Sequence, residues 1–310
     1  MRARFGVLAV LAAAGGLSAA LFAAGGRGPS GSPVVEGRAT AVATTPSGWR
    51  IHAIRTGFVR VKSAHRDLRV PAALRIPAIV LDPFWAEWMP IFVYVVEHPE
   101  RTVLVDTGPP PGINDPDFYA RDPGNGWFYH RNLRVALPPG EDLAERLAAA
   151  GIDAAAVRDV VVTHFHGDHV GGFDLLPNAT AHVGAGWSTH VGSLTVHLPA
   201  AFSPRVAAVD ADGRQPLTAD GGVSIVALPG HTPGHLGLLV EDGGQRWIVA
   251  GDATFDPLQT GSLGVAGVSE DVAQARATQA RLRDLVREGA FLLPSHDPAV
   301  PDRLAASSAR

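Results

Sequence analysis

Apolar residues in this chain come in short runs, and most runs stop at a glycine, a proline or a polar side chain. Ile51 to Val61 (IHAIRTGFVRV) alternates in part and has strand composition. Trp85 to Glu97 contains the unbroken run Ile91 to Val96, which predicts a core strand. Thr102 to Val105, Val160 to Val162, Val223 to Leu228, Leu236 to Val240, Trp247 to Ala250 and Phe291 to Leu293 predict further strands. Two segments carry helical spacing. Glu141 to Ala150 puts Leu143 and Leu147 on one face, with Gly151 placed to end it. A longer helix follows Ser269 as N-cap, with Glu270 and Asp271 suited to the first turn. It runs to about Glu288 and turns Val272, Ala275, Leu282, Leu285 and Val286 toward the core, with Gly289 as its stop.

Other stretches break the pattern. Pro109 to Leu137 is rich in proline and glycine, interleaved with Phe118, Tyr119, Trp127, Phe128 and Tyr129. Long loops of this kind form lids or binding walls, or pack on the surface with their aromatics as anchors; both readings stay open. At the start, Arg2 and Arg4 precede an uncharged stretch from Phe5 to Gly26. A positive start before an apolar run is the form of an export signal. Residues 1–26 are therefore read as a signal peptide, cleavable near Ala23 to Gly25, or as a retained membrane anchor. The expected location is periplasmic, extracellular or membrane-anchored. Residues 27–47 read as a flexible linker rich in Gly, Pro, Ser, Thr and Ala, and the folded domain is placed at 48–310.

Composition narrows the classes. Hydrophobic residues are 46% and charged residues 18%, which suits a globular fold. A net charge of -4 offers no basic footprint for nucleic acid. The chain has no cysteine, so disulfides, thiolate ligands and cysteine nucleophiles are excluded. Any metal must sit on nitrogen and oxygen.

The densest chemistry lies in Thr163 to Gly172, THFHGDHVGG. His164, His166, Asp168 and His169 fall within six residues, directly after an apolar run. A packed core has no use for such a group, because buried charged groups are costly unless paired or metal-bound. Polar metal-type residues recur where other apolar runs end: His231 in PGHTPGH, Asp252 in AGDATF, and His296 in PSHD. Ligands from separate strand ends can converge at one edge of a layered sheet structure. Asp106, in VDTG, is either structural or orients a ligand from behind. His182, His190 and His197 have no partner spacing and read as core or surface residues, and Trp85, Trp88 and Trp187 as packing residues.

THFHGDHVGG, LPGHTPGH, AGDATF and PSHD, in that order and with VDTG before them, resemble the metallo-β-lactamase superfamily. The resemblance covers the chain from about Trp49 onward. It implies an α+β fold, an αββα sandwich with a metal site at the edge between two β-sheets. It further implies that His164, His166 and His231 bind one metal, that Asp168, His169 and His296 bind a second, and that Asp252 bridges them. His235 is then structural or supports the ligands. The donor set suits two zinc ions per chain, with iron, manganese or cobalt compatible.

Two such ions lower the pKa of a bridging water, and the hydroxide attacks a carbonyl or phosphoryl centre. Asp168 or Asp252 can accept and pass on its proton. Among branches of the superfamily, flavodiiron oxidases resemble H-x-E-x-D, whereas His166 holds the Glu position here. True zinc β-lactamases commonly use Cys or lack the bridging Asp. The early strand, PIFVYVVEHPERTVLVDTG and SHDP look most like N-acyl homoserine lactone lactonases, which implies ring opening of a small-molecule lactone or ester. Those lactonases usually carry Tyr three residues after the bridging Asp; this chain has Phe255, and Tyr119 or Tyr129 could substitute from the lid. Two alternatives remain: hydrolysis of a thioester or phosphodiester held by Arg121, Arg131 and Arg134, or a non-catalytic metal- or ligand-binding role.

Overall fold

The computed structural model describes residues 33, 37–115, 118, 126–187, 203–209 and 213–308. The signal-or-anchor segment, Tyr119, Arg121, His190 and His197 lie outside the described residues. Among the described residues, no helix is long and apolar enough to cross a membrane.

Strands β1 (Thr40–Thr44), β2 (Arg50–Val61), β3 (Met89–His98), β4 (Arg101–Val105), β5 (Leu133–Ala136), β6 (Val157–Val161), β7 (Thr180–Val183) and β8 (Arg205–Val206) build the first sheet. Its order is β1-β2-β3-β4-β6-β7-β8, and β5 pairs with the end of β2. Strands β9 (Arg214–Pro216), β10 (Val223–Ala227), β11 (Leu236–Asp242), β12 (Gln245–Gly251) and β13 (Phe291–Pro294) build the second, in the order β13-β12-β11-β10-β9. The helices are α1 (Ser63–Arg66), α2 (Arg75–Leu81), α3 (Gly126–Asn132), α4 (Leu143–Ala149), α5 (Gly167–Val170), α6 (Pro257–Ser262), α7 (Val272–Arg287) and α8 (Val300–Ser307).

Burial explains why β3 lacks alternation. Phe92, Tyr94 and Val96 join a core shared with Leu238, Trp247 and Val249 of the second sheet. Val93 and Val95 join a different core, with Leu143 and Leu147 of α4. Both faces of the strand are covered, so both faces are apolar. The outer face of the second sheet, through Val226, Leu239, Ile248 and Leu292, packs with Leu282 of α7. The layers run helix, sheet, sheet, helix.

Four expectations need correction. The linker ends earlier than Ser47, because Thr40–Thr44 is β1 and buries Ala41 and Ala43. The folded part therefore starts before residue 48. Pro109 to Leu137 is not wholly loop: it ends in α3 and β5. Asp271, not Ser269, caps α7, accepting from the Gln274 N–H at 2.9 Å. Val286 on that helix is exposed to solvent.

Candidate metal centre

Each cluster residue follows the end of a strand. His164 to His169 follow β6, His231 lies in the β10–β11 connection, Asp252 follows β12, and His296 follows β13. Glycine makes the first loop possible. A Cβ on Gly171 would lie 2.0 Å from Pro110 N, and one on Gly172 would lie 2.5 Å from Thr107 O. The loop can thus lie directly against the segment after β4. There Gly167–Val170 forms a single helical turn, α5.

The structure brings all seven sequence-selected residues together. His164, His166, His231 and Asp252 form one group, and Asp168, His169 and His296 another, each with donor atoms within 4.8 Å of one another. Asp252 faces both. Its Oδ2 lies 3.6 Å from His231 Nε2 and 3.9 Å from His164 Nε2. Its Oδ1 lies 3.1 Å from His296 Nε2 and 3.4 Å from His169 Nε2. His166 Nδ1 and His231 Nε2 are 3.2 Å apart. Asp168 reaches His296 Nε2 at 3.5 Å.

Surrounding hydrogen bonds orient the rings. His296 Nδ1–H donates to the Pro90 carbonyl at 2.8 Å. His169 Nδ1–H donates to Asp106 Oδ2 at 2.7 Å. Thr163 gives its hydroxyl proton to the same Asp106 oxygen and accepts from His164 Nδ1 at 3.0 Å. Each ring is left with an Nε2 lone pair pointing inward, the arrangement of a metal-ligating imidazole. Asp106 has φ 60°, a left-handed backbone uncommon outside glycine. Its carboxylate also accepts from the Thr163 backbone N–H, so three contacts hold it there. Of its two readings, the orienting one matches this geometry. His235 Nε2 accepts the Asp252 backbone N–H at 3.2 Å, and its ring stacks on His164. It supports the centre and belongs to neither donor group.

The electrostatics favour a cation. Burial lowers His169, but the carboxylates of Asp252, Asp168 and Asp106 outweigh it and raise it to about 10. For His296 burial is likewise opposed, chiefly by Asp252, and the net shift is upward. Burial and the neighbouring imidazoles hold His164 well below its usual value. His164 Nε2 and His169 Nε2 are buried without a hydrogen-bond partner among the described residues. Buried polar atoms are normally satisfied, so two inward orphans among nitrogen and oxygen donors fit a metal site.

The centre opens into a pocket. His166, Asp168, Asp252 and His296 line one side, and Val59, Met89, Phe128, Leu133, Phe255 and Val268 line much of the other. Phe255 lies 5.5 Å, centroid to centroid, from His296, so the residue three after Asp252 does face the site, with an apolar ring. Tyr129 lines the pocket from α3. The two described arginines of the lid, Arg131 and Arg134, are not among its lining residues. Arg131 Nε donates to Val80 O, and Arg134 donates to the carbonyls of His130 and Leu133. Trp85 is sandwiched by Lys62 and Arg134, Trp187 stacks on Phe165, and His182 pairs with Asp159. Sequence reasoning missed His65, on α1 at the pocket wall, because nothing beside it in the chain marks a site.

A sequence model described as "Metallo-beta-lactamase superfamily" matches residues 86–296. A probable metallo-hydrolase of Mycobacterium tuberculosis is 35% identical over 181 residues, 53% of this chain; the chain spans only 56% of that relative's length. An N-acyl homoserine lactonase of Azorhizobium caulinodans is 26% identical over 225 residues, 68% of this chain and 82% of the relative. A solved N-acyl homoserine lactone hydrolase, with N-hexanoyl-L-homoserine at its catalytic metal centre, has a TM-score of 0.63 at 18% identity. That alignment covers 83% of this chain and 94% of the other. The dizinc quorum-quenching lactonase AidC has a TM-score of 0.58 at 16% identity, covering 85% and 92%. At these identities the solved structures share the fold.

Proposed function

The chain belongs to the metallo-beta-lactamase superfamily, and from that premise we propose that it is a dinuclear metal-dependent hydrolase that opens lactones or cleaves related esters. The carrying observation is Asp252, whose two oxygens face two separate groups of nitrogen and oxygen donors. In this reading His164, His166 and His231 hold one ion and Asp168, His169 and His296 the other, with Asp252 shared. Zinc fits the donors, as do iron, manganese and cobalt. When bound, the pair supplies hydroxide at neutral pH and polarises the substrate carbonyl.

The rest is done by the chain. Asp168 lines the pocket, where its carboxylate takes the proton of the attacking water and returns it to the leaving alkoxide. The carbonyl C–O ring bond breaks, and the product is a hydroxy acid. The apolar wall takes the acyl portion and excludes water. The names of the lactonase relatives support the substrate class. The thioester or phosphodiester alternative leaned on arginines, and the two described ones are committed to backbone carbonyls. For location, the Arg2, Arg4 and Phe5 to Gly26 pattern supports a place outside the cytoplasm, testable by cell fractionation.

The test is to count metals per chain and assay N-acyl homoserine lactones, simple lactones, aryl esters, thioesters and phosphodiesters. The expectation is about two metals, with lactone opening lost to a chelator and restored by a divalent ion. Fewer than two metals would overturn the dinuclear centre. Two metals with thioester or phosphodiester cleavage alone would overturn the substrate.

A further inference from the structure

The pocket lining includes a buried histidine that the proposed chemistry leaves unused. Outside the metal ligands, its polar lining residues are His65 and Tyr129. His65 is 7% exposed, and its Nδ1 is fully enclosed without a hydrogen-bond partner among the described residues. It belongs to neither donor group.

Its backbone is fixed from two sides. The His65 N–H donates to Lys62 O at 2.9 Å, and the N–H groups of Gly267 and Val268 donate to His65 O at 2.8 and 3.3 Å. A Cβ at Gly267 would lie 1.8 Å from Ala64 O, so only glycine lets that loop come so close. The backbone that carries the ring is thus fixed beside the pocket.

The chemistry of the ring follows from burial. The ring is buried and its Nδ1 has no hydrogen-bond partner among the described residues, so desolvation favours the neutral imidazole. A neutral imidazole carries one N–H. An enclosed lone pair is tolerated better than an enclosed orphan N–H, which places the proton on Nε2, the nitrogen open to the pocket. His65 therefore offers one hydrogen-bond donor on a fixed backbone in a largely apolar wall.

We propose that His65 contacts the substrate through Nε2–H and selects substrates with a hydrogen-bond acceptor beside the scissile carbonyl, such as an acylamino group, over purely aliphatic lactones or esters. This rests on the hydrolase reading given above and adds the recognition of a second polar group. Sites built to hydrogen-bond a substrate reject analogues that lack the partner, because the protein group is then left unpaired.

The test compares N-hexanoyl homoserine lactone with α-hexyl-γ-butyrolactone, which replaces the acylamino group by alkyl. The wild-type protein is expected to favour the first in kcat/KM by about tenfold or more. His65→Phe is expected to reduce that ratio about tenfold, and His65→Gln, which keeps an N–H donor, to restore part of it. An equal ratio in wild type and His65→Phe would overturn the proposal.

Calorimetry with ring-opened N-hexanoyl homoserine gives a readout without turnover, with Kd expected to rise about tenfold in His65→Phe. An unchanged Kd would count against His65 even if both proteins are active. If the wild type opens neither lactone but the Kd still depends on His65, the lactone reading falls and the contact stands. Metal content and melting temperature are measured on every variant, and His65→Leu replaces the phenylalanine variant if the larger ring disturbs folding.

Discussion

One side of the pocket is made of His and Asp side chains on the ends of β6, β12 and β13, with His296 also held from behind by its hydrogen bond to the Pro90 carbonyl. The other side is made of Val, Met, Leu and Phe side chains drawn from the end of β2, the start of β3, α3, β5 and two connections. The first side has a geometry that a reaction demands and few residue types that can meet it. The second needs only shape and dryness, which many sequences can provide. Chemistry and specificity are thus carried by materials with different freedom to vary.

The largest test of this contrast is Asp252→Ala. It removes the carboxylate shared by both donor groups, and kcat/KM is expected to fall at least about 1,000-fold (~4 kcal/mol), with metal lost on elemental analysis. Activity that survives intact would show that the two groups do not work as one centre.

Next is Asp106→Asn, which keeps shape and tolerates the left-handed backbone but removes the charge behind His169. Metal affinity is expected to weaken about 10–100-fold in a competition titration, with the fold intact. On the other side, Leu133→Ala enlarges the apolar wall without touching a ligand. Metal content is expected to hold, while preference among acyl chains of different length shifts by about tenfold in kcat/KM. A wall variant that lost metal would erase the distinction between the two sides.

The smallest effect is expected at Asp159→Asn, in β6, the strand that leads to the His164 loop. Burial raises this carboxyl, but hydrogen bonding to His182, with Arg101 adding, outweighs it and lowers the pKa. A depressed carboxyl contributes stability above its unfolded value near 3.8 and loses it as pH falls through the folded one. Wild type is therefore expected to exceed the variant in denaturant midpoint at pH 7, with the gap closing below about pH 3.8. A gap that stays constant through that range would remove the charge from the account.

What could be read in advance divides along the same line. The seven cluster residues stood out because His and Asp at strand ends have few other reasons to be there. The same logic singled out Asp106. The apolar wall was invisible, since Val59 or Leu133 in a sequence looks like any core residue until a pocket is seen beside it. Thr40–Thr44 passed for linker because Ala and Thr carry little hydrophobic signal, although Ala43 is fully buried. The start of α7 was misplaced by two residues for a tertiary reason. Glu270 and Asp271 donate their N–H groups to the carbonyls of His231 and Gly230, so that stretch is tied to the metal-site loop before the helix begins.

The distribution of the donors also bears on the order of events during folding. His164 and His166 come from the first sheet, whereas His231 and Asp252 come from the second; Asp168 and His169 are likewise matched with His296 across the sandwich. Neither donor group exists in full on a single sheet. On the proposed assignment, tight metal capture would wait until the two sheets have docked and would then act as a late clasp on an assembled sandwich. A chain that crossed a membrane unfolded would arrive without its ions and take them from the compartment in which folding finished.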